Sequence, residues 1–191
     1  MVRAVVSDTN IFIDLVKLKI LDAFFSLPWE IHTTDLVLYE LTDSEQFEAV
    51  RKYGDSGQLI VGSFTSADVE AIIAKSSHPG CPISLTDFSV IHYAQTHKYS
   101  ILSGDRKLRV CAEKEGLEVH GILFVLSALV KENKLSLADA IALLEELKTI
   151  NKRLPVDLID DLIRQVDRLQ LQTSEKGGCS DSFIIEKSKT I

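Results

Sequence analysis

A chain of 191 residues is long enough for one domain, or one domain with an appendage, and for a substantial buried core. Its 46% hydrophobic and 26% charged content is that of an ordinary soluble globular protein, and the longest apolar run, 121–130, is too short to cross a bilayer. A net charge of −7 argues against a passive nucleic-acid binder, yet it suits an enzyme that gathers carboxylates around cations.

Residues 2–7 have no polar face: Val2, Ala4, Val5 and Val6 predict a strand buried on both sides. "NIFIDLVKLKILDAFFSL" predicts a helix in two pieces, ending near Pro28. "EIHTT" predicts a short strand, and "DLVLYELTDSEQFEAVRKYG" a helix with a break around Thr42–Ser44. "QLIVGSF" predicts another strand, and "TSADVEAIIAKSS" a helix started at Ser66 and stopped before Pro79–Gly80. "SLTDFSVIHYAQTHKY" predicts a helix, "SILSGD" a buried strand, "DRKLRVCAEKEG" a helix closed by Gly116, and "LEVHGI" a last strand.

Strands alternating with helices of this length predict parallel βαβ units, hence an α/β fold with a central parallel sheet between helical layers. After Gly121 the texture turns helical. Ser136 and Asp139 form a capping box, and Pro155 opens a stripe from Leu158 to Leu169. The expected organisation is a core over 1–120, C-terminal helices over 121–172 packed on or beside it, and a polar, mobile tail over 173–191 in which "FIIE" could dock.

No secretory signal is visible, because Asp8 interrupts the apolar stretch near Met1. Cys81, Cys111 and Cys179 are widely separated and odd in number, and the five histidines form no HxxxH or HxH pair. The expectation is a reducing, cytoplasmic setting without a disulfide framework or a zinc site.

The chemistry concentrates in four acids. Asp8 follows the first strand and Asp105 follows "SILSG", where a parallel sheet binds ligands beyond its strand ends. Asp87 shares the apolar stripe of Val90, Ile91 and Ala94, and Glu40 aligns with Leu36 and Val37. Each has an ordinary reading too. Asp8 caps a helix, Asp105 occupies a first turn, Asp87 forms a capping box with Ser84, and Glu40 pairs with an arginine. Taken together, four acids that one sheet can gather favour a divalent-metal site. With no imidazole or thiolate nearby, oxygen ligands suit Mg²⁺ or Mn²⁺.

In order and spacing, "VVSDTNIFIDL", "DLVLYEL", "SLTDFSVIHYA" and "ILSGDRKLR" resemble the PIN-domain nucleases, VapC-type toxins among them, over about residues 2–120. The stretch 121–170 resembles an extension carried by one subgroup. The resemblance implies a three-layer α/β/α fold of Rossmann-like topology and metal-dependent cleavage of RNA phosphodiester bonds. In it Asp8, Asp87 and Asp105 hold Mg²⁺ or Mn²⁺, Glu40 holds metal or water, and Asn10 and Ser103 assist by hydrogen bonding. Arg106 and Lys107, with Lys17 and Lys19 behind them, are candidate phosphate contacts. It further implies a cognate antitoxin and a homodimer, while the short apolar runs imply no membrane attachment.

Two rivals come from other classes. A haloacid-dehalogenase-type phosphatase needs a second aspartate where Asn10 stands, and a response-regulator receiver needs adjacent acids where Asp8 stands alone. A non-catalytic adaptor with the same fold, binding RNA or a protein, is the alternative function.

Overall fold

The structure, a computed structural model, describes residues 3–76 and 80–176. Five strands, β1 (Arg3–Ser7), β2 (Trp29–Thr34), β3 (Leu59–Gly62), β4 (Ser100–Leu102) and β5 (Val119–His120), form one all-parallel sheet in the order β3-β2-β1-β4-β5. Between β1 and β2 run α1 (Thr9–Lys17) and α2 (Leu21–Phe25), and between β2 and β3 run α3 (Asp35–Glu40) and α4 (Ser44–Asp55). The long crossover to β4 contains α5 (Ser66–Ser76) and α6 (Leu85–His97), and α7 (Arg106–Lys114) leads to β5. Three helices follow: α8 (Ile122–Lys131), α9 (Leu137–Ile150) and α10 (Val156–Lys176).

The chain steps outward from β1 to β3, then returns past β1 to β4 and β5, so strand order reverses between β1 and β4. Right-handed crossovers therefore place α1, α2 and α4 on one face and α5, α6 and α7 on the other. In agreement, α6 packs on β1, β2 and β4, whereas α1 packs on α4 and α9, and α2 on α8. This is the three-layer α/β/α arrangement. Covering both faces explains why β1 needs no polar side: Val5 and Val6 are both fully buried. A Cβ at Gly62 would enter the ring of Tyr93, so glycine lets the end of β3 approach α6.

The two expected helix breaks are present, the first at Lys19, whose φ is 58°, and the second at residues 41–43 between α3 and α4. Other local expectations change. Thr65, not Ser66, caps α5, because its hydroxyl accepts from the Asp68 amide while the Asp68 carboxylate accepts from the Thr65 amide. The last strand shrinks to Val119–His120. Helix α10 runs to Lys176, past the expected start of the tail, and residues 177–191, including "FIIE", lie outside the described residues.

The largest correction concerns the cysteines. Cys81 and Cys111 are paired in a disulfide across 30 residues, with their Cα atoms 5.8 Å apart. Spacing hides this bridge because its ends lie in the loop before α6 and on α7, neighbours only once the sheet has formed. The core extends into the last three helices: Leu129, Leu144, Leu147 and Ile159 join Ile11, Phe12 and Leu15 in one buried cluster. Among the described residues no helix is long and apolar enough to cross a membrane.

Candidate functional site

The strand register builds the centre of the site. Ser7 lies opposite Leu102, and the Asp8 amide donates to the Leu102 carbonyl at 2.9 Å, so Asp8 and Ser103 leave the sheet side by side. Ser103 Oγ donates to Asp8 Oδ2 at 2.8 Å and accepts from the Asp105 amide at 3.0 Å. Asn10 completes the clamp. Its side-chain amide donates to Asp8 Oδ2 and, at 3.3 Å, to Ser103 Oγ, while its carbonyl accepts from the Gly104 amide at 2.7 Å. Asp8, Asn10 and Ser103 are all buried. The two residues expected to assist are thus the ones that fix the Asp8 carboxylate.

The ordinary readings of the aspartates hold as well. Asp8 Oδ1 caps α1 by accepting from the Thr9 amide at 2.7 Å, and Asp105 Oδ1 caps α7 by accepting from the amides of Lys107 and Leu108. Asp87 Oδ2 accepts from the Ser84 amide at 2.8 Å in a reciprocal capping box. Capping uses one oxygen of Asp87 and one of Asp105. Asp87 Oδ1, Asp105 Oδ2 and Glu40 Oε1 make no hydrogen bond among the described residues. Glu40 did not find an arginine; its Oε2 accepts from the Thr9 hydroxyl at 2.9 Å.

Burial divides the four. Asp8 is buried, Asp87 and Asp105 are half-buried, and Glu40 is exposed. This corrects the expectation that Glu40 and Asp87 lie on buried faces: both helices present them at the mouth of the sheet's carboxyl edge rather than to the core.

Electrostatics nevertheless ties them into one field. Burial pushes the Asp8 carboxyl up to about 7, and the negative charges of Asp87 and Glu40 push it the same way against the Ser103 and Thr9 hydrogen bonds. Asp87 is also raised, first by burial and then by Asp105 and Glu40, against its bonds to Ser84. Among the described residues no lysine or arginine forms an ion pair with any of the four. A mutually repelling, all-oxygen donor set with spare lone pairs is chemically suited to a hard dication. The oxygens are not drawn together into a ligand sphere, however. Among the described residues no three His, Cys, Asp or Glu side chains form a group able to hold a metal as they stand.

Arg106 and Lys107 are exposed beside Asp105 and make no ion pair among the described residues. Lys17 ends α1, roughly 12 Å along the helix axis from Thr9, and Lys19 lies beyond it. Sequence reasoning missed Thr9, the bridge from α1 to Glu40, although its place directly after Asp8 was the available signal. It also missed Asp14, a buried acid on α1 whose Oδ2 accepts from the Asn151 side chain at 2.6 Å. No local pattern marks that pair, since 137 residues separate its members.

The family model DUF3368, described as a PIN domain, matches residues 4–168. No curated protein matches the chain. Among solved structures, a PilT N-terminus domain protein from Sulfolobus solfataricus is 14% identical, with 66% of this chain and 93% of that one covered at a TM-score of 0.44. A protein from Pyrobaculum aerophilum is 15% identical, with 69% and 99% covered at a TM-score of 0.48. A toxin–antitoxin complex from Klebsiella pneumoniae contains a chain 18% identical, with 53% and 86% covered at a TM-score of 0.39.

Proposed function

Because the chain belongs to the PIN-domain family, we propose that it is a metal-dependent endoribonuclease whose site is formed by Asp8, Glu40, Asp87 and Asp105. The observation that carries this reading is the Asp8 carboxylate, buried, raised to about 7, and facing the charges of Asp87 and Glu40 with no basic partner among the described residues. Mg²⁺ or Mn²⁺ bound there supplies Lewis acidity at the phosphodiester and offsets the charge of the carboxylates.

The chain's own residues do the rest. Ser103 and Asn10 hold Asp8 Oδ2 in place, and Ser84 fixes Asp87 at the mouth. Glu40 Oε1, on an exposed side chain and without a hydrogen bond among the described residues, accepts the proton of the water that attacks phosphorus while the bond to the leaving ribose oxygen breaks. Arg106 and Lys107 draw the phosphate backbone toward Asp105. A small antitoxin and a second copy of the chain are the partners that accompany this reading.

The test is cleavage of single-stranded RNA with Mn²⁺ by the parent and by Asp8→Asn. The variant loses at least about 100-fold in rate and keeps the parent's fold by circular dichroism. If it cuts at the parent's rate, Asp8 is only a helix cap. The capping bonds on all three aspartates favour a second reading, a non-catalytic adaptor. A parent that shows no metal-dependent cleavage selects it.

A further inference from the structure

A groove of about 850 Å³ starts at Gly104 and Asp105 and runs between α7, α8 and the turn joining α9 to α10. It therefore opens directly from the acidic site. Its charged lining is of the opposite sign to the whole chain: Arg106, Lys107, Arg109 and Arg153 against Asp105 and Glu113, in a protein of net charge −7. Arg109 is already engaged, donating to the Val119 carbonyl at 2.7 Å with Glu113 alongside. Among the described residues Arg106, Lys107 and Arg153 make no ion pair, although the charge of Arg153 is felt by the Asp14 carboxylate. Between the charges the lining is apolar, with Val110, Leu154, Pro155 and Leu158 reaching solvent.

The position of Arg153 is fixed by a buried polar clamp. The Asn151 side chain donates to Asp14 Oδ2 at 2.6 Å and, through its carbonyl, accepts from the Arg153 amide at 3.1 Å. Asp14 lies on α1, the helix that Asp8 caps, so the clamp ties the extension's turn to the element that begins at the site. Both Asp14 and Asn151 are buried, where such a bond resists exchange with water.

We propose that this groove holds the RNA strand adjoining the cleaved bond, with Arg153 as a backbone-phosphate contact supplied by the helical extension and Asn151 as its positioning residue. The proposal rests on the nuclease reading and adds to it a second stretch of substrate. Charge complementarity and continuity with Asp105 single out a polyanion. Apolar surface between cations matches single-stranded nucleic acid, whose bases bury a flat face while phosphates meet arginine.

The experiment measures binding of a fluorescein-labelled single-stranded RNA, with calcium replacing magnesium and manganese so that binding is read without cleavage. Arg153→Glu weakens binding about tenfold or more and lowers the salt slope, log Kd against log [salt], by about one. Asn151→Ala produces part of that loss. Arg51→Glu, the same charge change on α4 outside the groove, leaves affinity at the parent's value. Equal affinity for the parent and Arg153→Glu, in a preparation that still cuts RNA with Mn²⁺, overturns the groove and leaves the nuclease reading standing. A parent that neither binds nor cuts RNA overturns both.

Discussion

At the residue scale, Asp8 combines two roles that are usually separate. Its Oδ1 stabilises a helix start, and its Oδ2 is held by two side chains in a buried, negatively charged setting. The second role carries a stability cost that can be measured without any substrate. The carboxyl ordinarily titrates at 3.8 and is raised to about 7 in the folded chain. Between those values the folded chain keeps a proton that the unfolded chain has released, so stability falls as pH rises through the window. Asp8→Asn removes this penalty. In chelator at pH 8 it should be more stable than the parent, with an upper limit of about 4 kcal/mol less the hydrogen bonds that Asp8 Oδ2 accepts from Ser103 and Asn10 and an amide nitrogen cannot, and the advantage should disappear below about pH 4. Urea melts at the two pH values check this, and an advantage independent of pH would show that Asp8 is not held neutral. Millimolar Mn²⁺ should recover much of the same energy in the parent, since a cation replaces the proton.

At the element scale, caps place the chemistry. Asp87 reaches the mouth because the Ser84 box fixes the first turn of α6, and Asp105 does so because it caps α7. Ser84→Ala should cost about 1 kcal/mol in a denaturant titration. It should also raise the Asp87 carboxyl further, because the Ser84 hydroxyl, which favours its charged form alongside the retained backbone amide, is gone. An unchanged midpoint would mean that the box contributes nothing. Much of this was legible beforehand, since strand–acid–helix junctions and S-x-x-D boxes are local patterns. Thr65 displaced Ser66 as the cap of α5 because the two hydroxyls are neighbours and only backbone geometry chooses between them. Glu40 was misjudged for a different reason. Helical periodicity gives the direction of a side chain but not whether the short α3 ends at the rim of the sheet.

At the scale of the whole molecule, long-range links hold the site elements together. Cys81–Cys111 joins the loop before α6 to α7, the helices that carry Asp87 and Asp105. Closing a loop of 30 residues stabilises by about 3–4 kcal/mol, so reduction should lower the Tm by about 10 °C. A Cys111→Ser variant should melt at the reduced temperature in either buffer. Identical melting of the parent with and without reductant would show that the thiols are unlinked. The last three helices act on the same scale, adding Leu144, Leu147 and Ile159 to the core beside α1 and bringing Arg153 near the Asp105 end of the sheet.

The sequence by itself determined the strand–helix alternation and the four acids at element junctions, because each is a pattern over a few adjacent residues, whereas Asn10 and Ser103 were singled out only by the family resemblance. Tertiary structure alone decided that Ser103 meets Asp8, that Thr9 holds Glu40, that Cys81 finds Cys111, and that Asn151 closes on Asp14. Those pairs are made by strand register and layer packing, which join segments as much as 137 residues apart and leave no periodic trace in the chain.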